Sequence, residues 1–160
     1  MSNLENLKDK VCVITGGGGV IGSALASGLA KSGVIPVILD INAEAAKKVA
    51  EEVTTETGTK AYGFMGNVLD KASLEETQKE IIAEVGDVDF LINGAGGNSP
   101  KATTQLEELT ENDLNALGES FFGLELEGFQ KVFDLNFTGT LLPSMVFAEP
   151  MVKRQKGAII

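Results

Sequence analysis

The residues best suited to chemistry in this sequence are glycines. Gly16, Gly17, Gly18 and Gly19 are consecutive, and Gly22 follows three positions later. They lie between an apolar run, Lys10 to Thr15 (KVCVIT), and a segment with Ile21, Ala24, Leu25 and Leu29 at helical spacing. A turn that leaves a strand and opens a helix can aim successive backbone N–H groups at an anion. The helix N-terminus adds about half a positive charge. Glycine suits such a turn because side chains would block a pyrophosphate and because the turn uses positive φ. Gly17, Gly19 and Gly22 fit G-x-G-x-x-G, and the strand-turn-helix setting is the one in which that pattern binds a dinucleotide. The backbone from Gly16 through Val20 and Ile21 to Gly22 is therefore the candidate pyrophosphate site. A plain glycine-rich turn is the competing reading.

An acid at the end of the second strand, roughly 20 residues on, would bind the adenosine ribose. Asp40 stands 18 residues after Gly22. A carboxylate there accepts from both ribose hydroxyls and repels a 2′-phosphate. Ile41, Asn42 and Ala43 offer that phosphate no cation. NAD is expected over NADP. Asp40 could instead cap the next helix, although Asn42 already suits that role.

Composition removes several alternatives. The chain has 160 residues, 43% of them hydrophobic, which suits a single domain with a real core. It has no His, hence no Ser-His-Asp triad, no His base and no His-ligated metal; no metal site is expected. Cys12 is the single cysteine, so no internal disulfide can form. Thirteen Lys and Arg against 23 Asp and Glu give a net charge of −10, which argues against nucleic acid and anionic membranes as partners. The N-terminus lacks a signal-peptide layout, and no apolar run nears the roughly 18 residues of a membrane span. A soluble, cytoplasmic protein is the expectation.

The elements alternate. Strands are expected at Lys10 to Thr15, from about Val37 to Asp40, at Ala61 to Met65, at Val88 to Asn93 and from Gly157. The second is started at Val37 because Pro36 fits a central strand poorly. Helices are expected from Val20 to Ser32, and from an Asn42 cap to Thr57 with Ala46, Val49, Ala50 and Val53 inward. A third opens at Asp70 or at the Ser73 to Glu76 capping box, with Leu74, Gln78, Ile81, Ile82 and Val85 inward. A short helix follows Thr110, with Leu114 and Leu117 inward, and a long one runs from Leu126 to Lys153. The long helix is expected to bury Phe129, Val132, Phe133, Asn136, Phe137, Thr140 and Leu141. Pro143 and Pro150 inside it predict kinks. This order means an α/β, Rossmann-type doubly wound parallel sheet with helices on both faces. From 102 to 149 there are nine acids and one base, a stretch expected to be solvated.

These residues resemble the short-chain dehydrogenase/reductase family. Thr15 to Gly22 matches its Thr-Gly-x-x-x-Gly-x-Gly motif except at Val20, where Gly19 could do the work one place earlier. Asn67-Val68 stands for the family's Asp-Val at the adenine, and Asn93-Gly94-Ala95-Gly96 for its Asn-Asn-Ala-Gly beside the nicotinamide ribose. Asp134-Leu135-Asn136 resembles the segment carrying the asparagine of the Asn-Ser-Tyr-Lys tetrad, which makes Asn136 the candidate catalytic residue. The long gap from Gly96 to Asn136, with the stretches 96–104 and 134–143, resembles D-mannonate oxidoreductase (fructuronate reductase)-like members. That implies interconversion of a secondary alcohol and a ketone on a sugar acid, with Lys101 as the nearest cation for its carboxylate. It also implies a homo-oligomer, dimer or tetramer, with the long helix in the interface.

The family's Ser and Tyr-x-x-x-Lys follow the fifth strand. Tyr62, the single tyrosine, is followed by Gly63 to Gly66 with no lysine. The 160 residues are thus expected to be one domain, truncated at the fifth strand, that binds a nucleotide without turnover. A self-sufficient, non-catalytic nucleotide-binding module is the alternative. A methyltransferase is a third, disfavoured by the 93–96 and 134–136 segments. An intact mass from the native source well above 16.8 kDa is expected, and a mass near 16.8 kDa would favour the module.

Overall fold

The computed structural model describes residues 4–106 and 108–160. Glu107, one of the nine acids of the 102–149 stretch, lies outside it. Five parallel strands form one sheet: β1 (Val11–Thr15), β2 (Ile35–Asp40), β3 (Tyr62–Met65), β4 (Val88–Asn93) and β5 (Ala158–Ile159), in the order β3-β2-β1-β4-β5. Helices α1 (Val20–Lys31), α2 (Ala43–Thr57) and α3 (Lys71–Glu84) make the first crossovers. After β4 the chain runs through short 3₁₀ turns and then climbs one continuous helical path. That path is α4 (Leu126–Phe133), a π turn (Asp134–Thr138) and α5 (Gly139–Lys153). Among the described residues no helix is long and apolar enough to cross a membrane.

The apolar strands are explained by burial on both faces. Side chains alternate across a strand. Val11, Val13, Val37 and Leu39 join Leu74, Ile81, Val146, Phe147 and Met151 in the core beneath α3 and α5. Cys12, Ile14 and Ile38 pack with Ala26, Ala30, Ala46, Val49, Ala50 and Val53 from α1 and α2. Burial pushes the Cys12 thiol up to about 12, which leaves it inert at neutral pH. The Asn42 side chain caps α2 by accepting the N–H groups of Glu44 and Ala45, as the sequence predicts.

Four local expectations need correction, and one open choice, the cap of α3, is decided. Pro36 lies inside β2, not before it. Ile35 donates its N–H to Lys10, so the missing N–H of Pro36 faces β3, whose pairing with β2 begins only at Val37. Asp70 alone caps α3; the Ser73 hydroxyl is taken by the Asn67 N–H. Thr77, rather than Ile82, completes the buried face of α3. The segment after Thr110 is a 3₁₀ turn, Glu111–Asp113, closed by a Thr110–Asp113 capping box and followed by a second at Leu117–Glu119, and Leu114 and Leu117 stay exposed. On the long helix Phe133, Asn136, Phe137 and Leu141 face outward, while Gly139, Pro143, Val146, Phe147 and Met151 pack inward. An apolar helix face reads alike in sequence whether or not its own core covers it.

One of the two prolines of α5, Pro150, has a packing account. Pro150 has no N–H to return to the carbonyl of Val146, four residues earlier. Gln78 of α3 supplies the replacement, its Nε2 donating to that carbonyl at 2.6 Å. Gln78→Leu should leave the carbonyl unpaired and cost about 1–3 kcal/mol. Urea unfolding should show a lower midpoint at unchanged slope; an unchanged midpoint would remove this account of Pro150.

Candidate cofactor-binding cleft

The strand order reverses between β1 and β4, the place where open α/β sheets bind ligands at their carboxyl ends. A cleft of about 240 Å³ opens there, lined by Gly16, Asp40, Ile41, Asn67, Val68, Ala95, Gly96 and neighbouring residues. Its two walls are tied together by Thr15. The Thr15 side chain is fully buried, and its Oγ1 accepts the N–H groups of Gly94 and Ala95, both at 3.1 Å.

The glycine loop is compact because a Cβ at Gly16, Gly17, Gly18 or Gly22 would come within 3.0 Å of another atom. Gly16 has φ +64°, and a Cβ there would lie 2.8 Å from the Ala95 Cα. A Cβ on Gly22 would lie 2.5 Å from the Gly16 carbonyl oxygen. Gly17 is turned into the sheet, with its N–H on the Leu39 carbonyl at 3.2 Å. Gly19 caps α1 in extended conformation (φ −83°) and needs no left-handed freedom. Val20, the departure from the glycine motif, sits at the first helical position with its side chain 88% exposed, so nothing there requires glycine. Ser23 is the first residue of α1 to donate its N–H back, to Gly19 at 2.9 Å. The amides of Val20, Ile21 and Gly22 belong to the unsatisfied first turn. They are the donors that fit a pyrophosphate.

Asp40 ends β2 with both carboxylate oxygens anchored. Oδ2 accepts the Gly18 N–H and Oδ1 the Asn42 N–H, each at 3.0 Å. Carboxylate oxygens accept more than one bond, so both can also face ribose hydroxyls. The contact takes the Gly18 amide away from any phosphate. Asn67 holds its own turn, its Oδ1 accepting the Leu69 N–H at 3.0 Å, and Val68 is buried beside it.

Asn93 and Asn136 grip the turn between them. Asn93 points away from the cleft: its Nδ2 donates to Ser144 Oγ at 3.1 Å and to the Ile160 carbonyl at 3.3 Å. Asn136 sits in the π turn and pairs with the Gly97 peptide. Its Oδ1 accepts the Gly97 N–H at 3.2 Å, and its Nδ2 donates to the Gly97 carbonyl at 2.7 Å. Being exposed, it is no core amide, yet it is fully engaged. π turns recur at functional sites. Lys101 is not available as a free cation. Its ammonium lies 2.8 Å from Glu125 and 3.0 Å from Glu127, and these two acids raise its pKa. Lys131 and then Lys101 hold Glu127 down to about 2.

Sequence reasoning assigned no role to Leu39, Gly66, Leu69, Leu135 or Gly97, and placed Thr15 only as the first residue of the glycine motif. Thr15 had a signal, a lone hydroxyl ending an apolar run. The leucines had none, because a cleft wall and a core use the same residue types.

The short chain dehydrogenase family model matches residues 10–160. An uncharacterized oxidoreductase of Haemophilus influenzae is 45% identical over 156 residues, covering 98% of this chain and 54% of that protein. The uncharacterized oxidoreductase UxuB of Bacillus subtilis is also 45% identical over 156 residues, covering 98% and 55%. A crystal structure of a Haemophilus influenzae protein provisionally assigned as a D-mannonate oxidoreductase, with bound NAD, superposes with a TM-score of 0.84 at 45% identity. It covers 92% of this chain and 53% of that one. The chain thus spans about half the length of the relatives it matches.

The glycine geometry separates two substitutions. Gly22→Ala must displace a backbone carbonyl and should cost about 1–3 kcal/mol in urea unfolding. Gly19→Ser meets only the Gly16 oxygen at 3.3 Å and supplies a capping hydroxyl, so it should stay within about 0.5 kcal/mol. Equal costs would show that the 22-to-16 contact does not hold the loop.

Proposed function

The chain belongs to the short-chain dehydrogenase family, and from that premise we propose that it serves an NAD-dependent oxidoreductase interconverting a secondary alcohol and a ketone on a sugar acid such as mannonate or fructuronate. The observation that carries the cofactor half is the anchored Asp40 carboxylate beside the glycine loop, with no cation at 41–43. NAD supplies hydride transfer when bound. The first-turn amides of Val20, Ile21 and Gly22 hold its pyrophosphate, Asp40 its adenosine ribose, and Asn67 with Val68 its adenine. Gly94 to Gly96 border the nicotinamide side. Asn136 fixes the π turn next to them and supports the proton relay. Residues 1–160 act as one nucleotide-binding domain, in the cytoplasm. The sugar-acid half is supported by the likeness to the D-mannonate oxidoreductase structure. Its carboxylate needs a cation other than Lys101.

An assembly of two or four copies is supported by the outward row of Leu126, Phe133, Phe137, Leu141, Met145 and Val152. Contiguous exposed apolar surface of this kind marks interaction sites.

Fluorescence titration tests the cofactor half. NADH should bind at least about tenfold more tightly than NADPH, a difference of about 1.4 kcal/mol. Asp40→Ala should shrink that ratio below about threefold. Equal affinities in the parent protein, or displacement of NADH by S-adenosylmethionine, would overturn it. Absence of mannonate-dependent NAD reduction by the full-length protein would overturn the sugar-acid half alone.

A further inference from the structure

The helical path beside the cleft carries a run of three side-chain bonds. Asn136 Nδ2 donates to the Val132 carbonyl at 2.8 Å, Thr140 Oγ1 to the Asn136 carbonyl at 2.9 Å, and Ser144 Oγ to the Thr140 carbonyl at 2.7 Å. Each bond spans four residues backwards, and the three follow one another without a gap. Bonds of this kind compete with the helix ladder and tend to bend it, so three in succession call for a return elsewhere. A four-residue step also overshoots a 3.6-residue turn by about 40°. The wider π turn at Asp134–Thr138 absorbs part of that drift and keeps the row on one side.

Both ends of the row reach the turn that follows β4. Ser144 Oγ accepts the Asn93 amide at 3.1 Å, and Asn136 pairs with both polar groups of the Gly97 peptide. Among the described residues the Asn93 Oδ1 is buried without a partner. The donor side of that amide alone sets its orientation, which gives Ser144 weight as an acceptor. Between the two grips, Thr15 holds Gly94 and Ala95. The five-residue turn is thereby fixed at three points, two of them on one helix.

We infer that Thr140 and Ser144 are positioning residues. Their hydroxyls hold the helix backbone in the register at which Asn136 and Asn93 grip the 93–97 turn, and so set how closely that turn approaches the nicotinamide half of the dinucleotide. Its functional part rests on the dinucleotide reading above. Thr140 is not among the residues that line the cleft, and its hydroxyl bonds the Asn136 carbonyl. It acts through Asn136, by satisfying a carbonyl in the π turn.

The test is amide hydrogen exchange in the full chain, with NADH affinity beside it. Thr140→Val keeps the side-chain shape and removes the donor. Gly97 exchange should rise about tenfold, the loss of about 1.4 kcal/mol of protection, while Gly94 and Ala95 keep theirs. Thr140→Ser should restore both Gly97 protection and NADH affinity. Ser144→Ala should loosen Gly94 in preference to Gly97. Thr140→Val should weaken NADH binding by roughly threefold to tenfold. Unchanged Gly97 exchange overturns the inference, as does equal acceleration of all three amides, or faster Gly97 exchange at unaltered NADH affinity. A parent protein that binds no NADH would sink the dinucleotide reading, and the exchange comparison would still decide whether Thr140 positions the turn.

Discussion

The cleft depends on one hydroxyl. Thr15 ends β1 at the point where the strand order reverses, and its oxygen holds the two amides that begin the turn after β4. A buried polar atom left unpaired costs roughly 1–3 kcal/mol, so this link is strongly specified. It draws the 93–97 turn against the glycine loop until Gly16 and Ala95 nearly touch. Once those walls are this close, a side chain at Gly16 has no room. Gly16 and the carboxylate of Asp40 then line one cleft, next to the start of α1. The composition of the glycine loop is a consequence of that spacing as well as of the anion it suits.

The second organising element is the helical path from Leu126 to Lys153. A straight α-helix of that length would need its full ladder, and this one gives it up at the π turn and at its two prolines. The π turn frees carbonyls that side chains then satisfy. Pro150 releases the Val146 carbonyl, which Gln78 recovers from a neighbouring helix. Asn136 spends its amide on both its own helix and the Gly97 peptide. Two of these departures are paired with a bond to another element, the π turn through Asn136 to Gly97 and Pro150 through Gln78. The irregular helix is thus a device that fixes the distance between α3, the sheet and the cleft turn.

The excursion between β4 and α4 is anchored at its own base. Glu125 donates its N–H to the Lys101 carbonyl, Gly128 lies against the Lys101 backbone, and Lys101 reaches back to Glu125 and Glu127. Exposed ion pairs of this type contribute little to stability individually. Their consequence here is chemical: they neutralise the cation nearest the cleft in sequence and leave the acids of the excursion in excess.

By itself the sequence determined the periodic elements, the parallel order, the α2 cap at Asn42, the glycine loop and Asp40. Those features rest on local rules: side-chain period, capping geometry and the steric demand of a tight turn. Asn136 drew attention as an amide in a stripe expected to be buried, but the structure exposes it, and its bonds to Gly97 come from where the chain returns in space. Only the tertiary structure decided which face of the long helix is covered, since Phe133 and Phe147 are equally apolar and one is exposed while the other is buried. It decided too that Pro36 can sit in β2, because what matters is whether a partner strand lies beside its missing N–H. Lys101 looked like a free cation because its acids lie 24 and 26 residues away. The roles of Thr140 and Ser144 were hidden for the same reason. A hydroxyl's partner is set by where the chain returns in space, and sequence spacing carries no record of that distance.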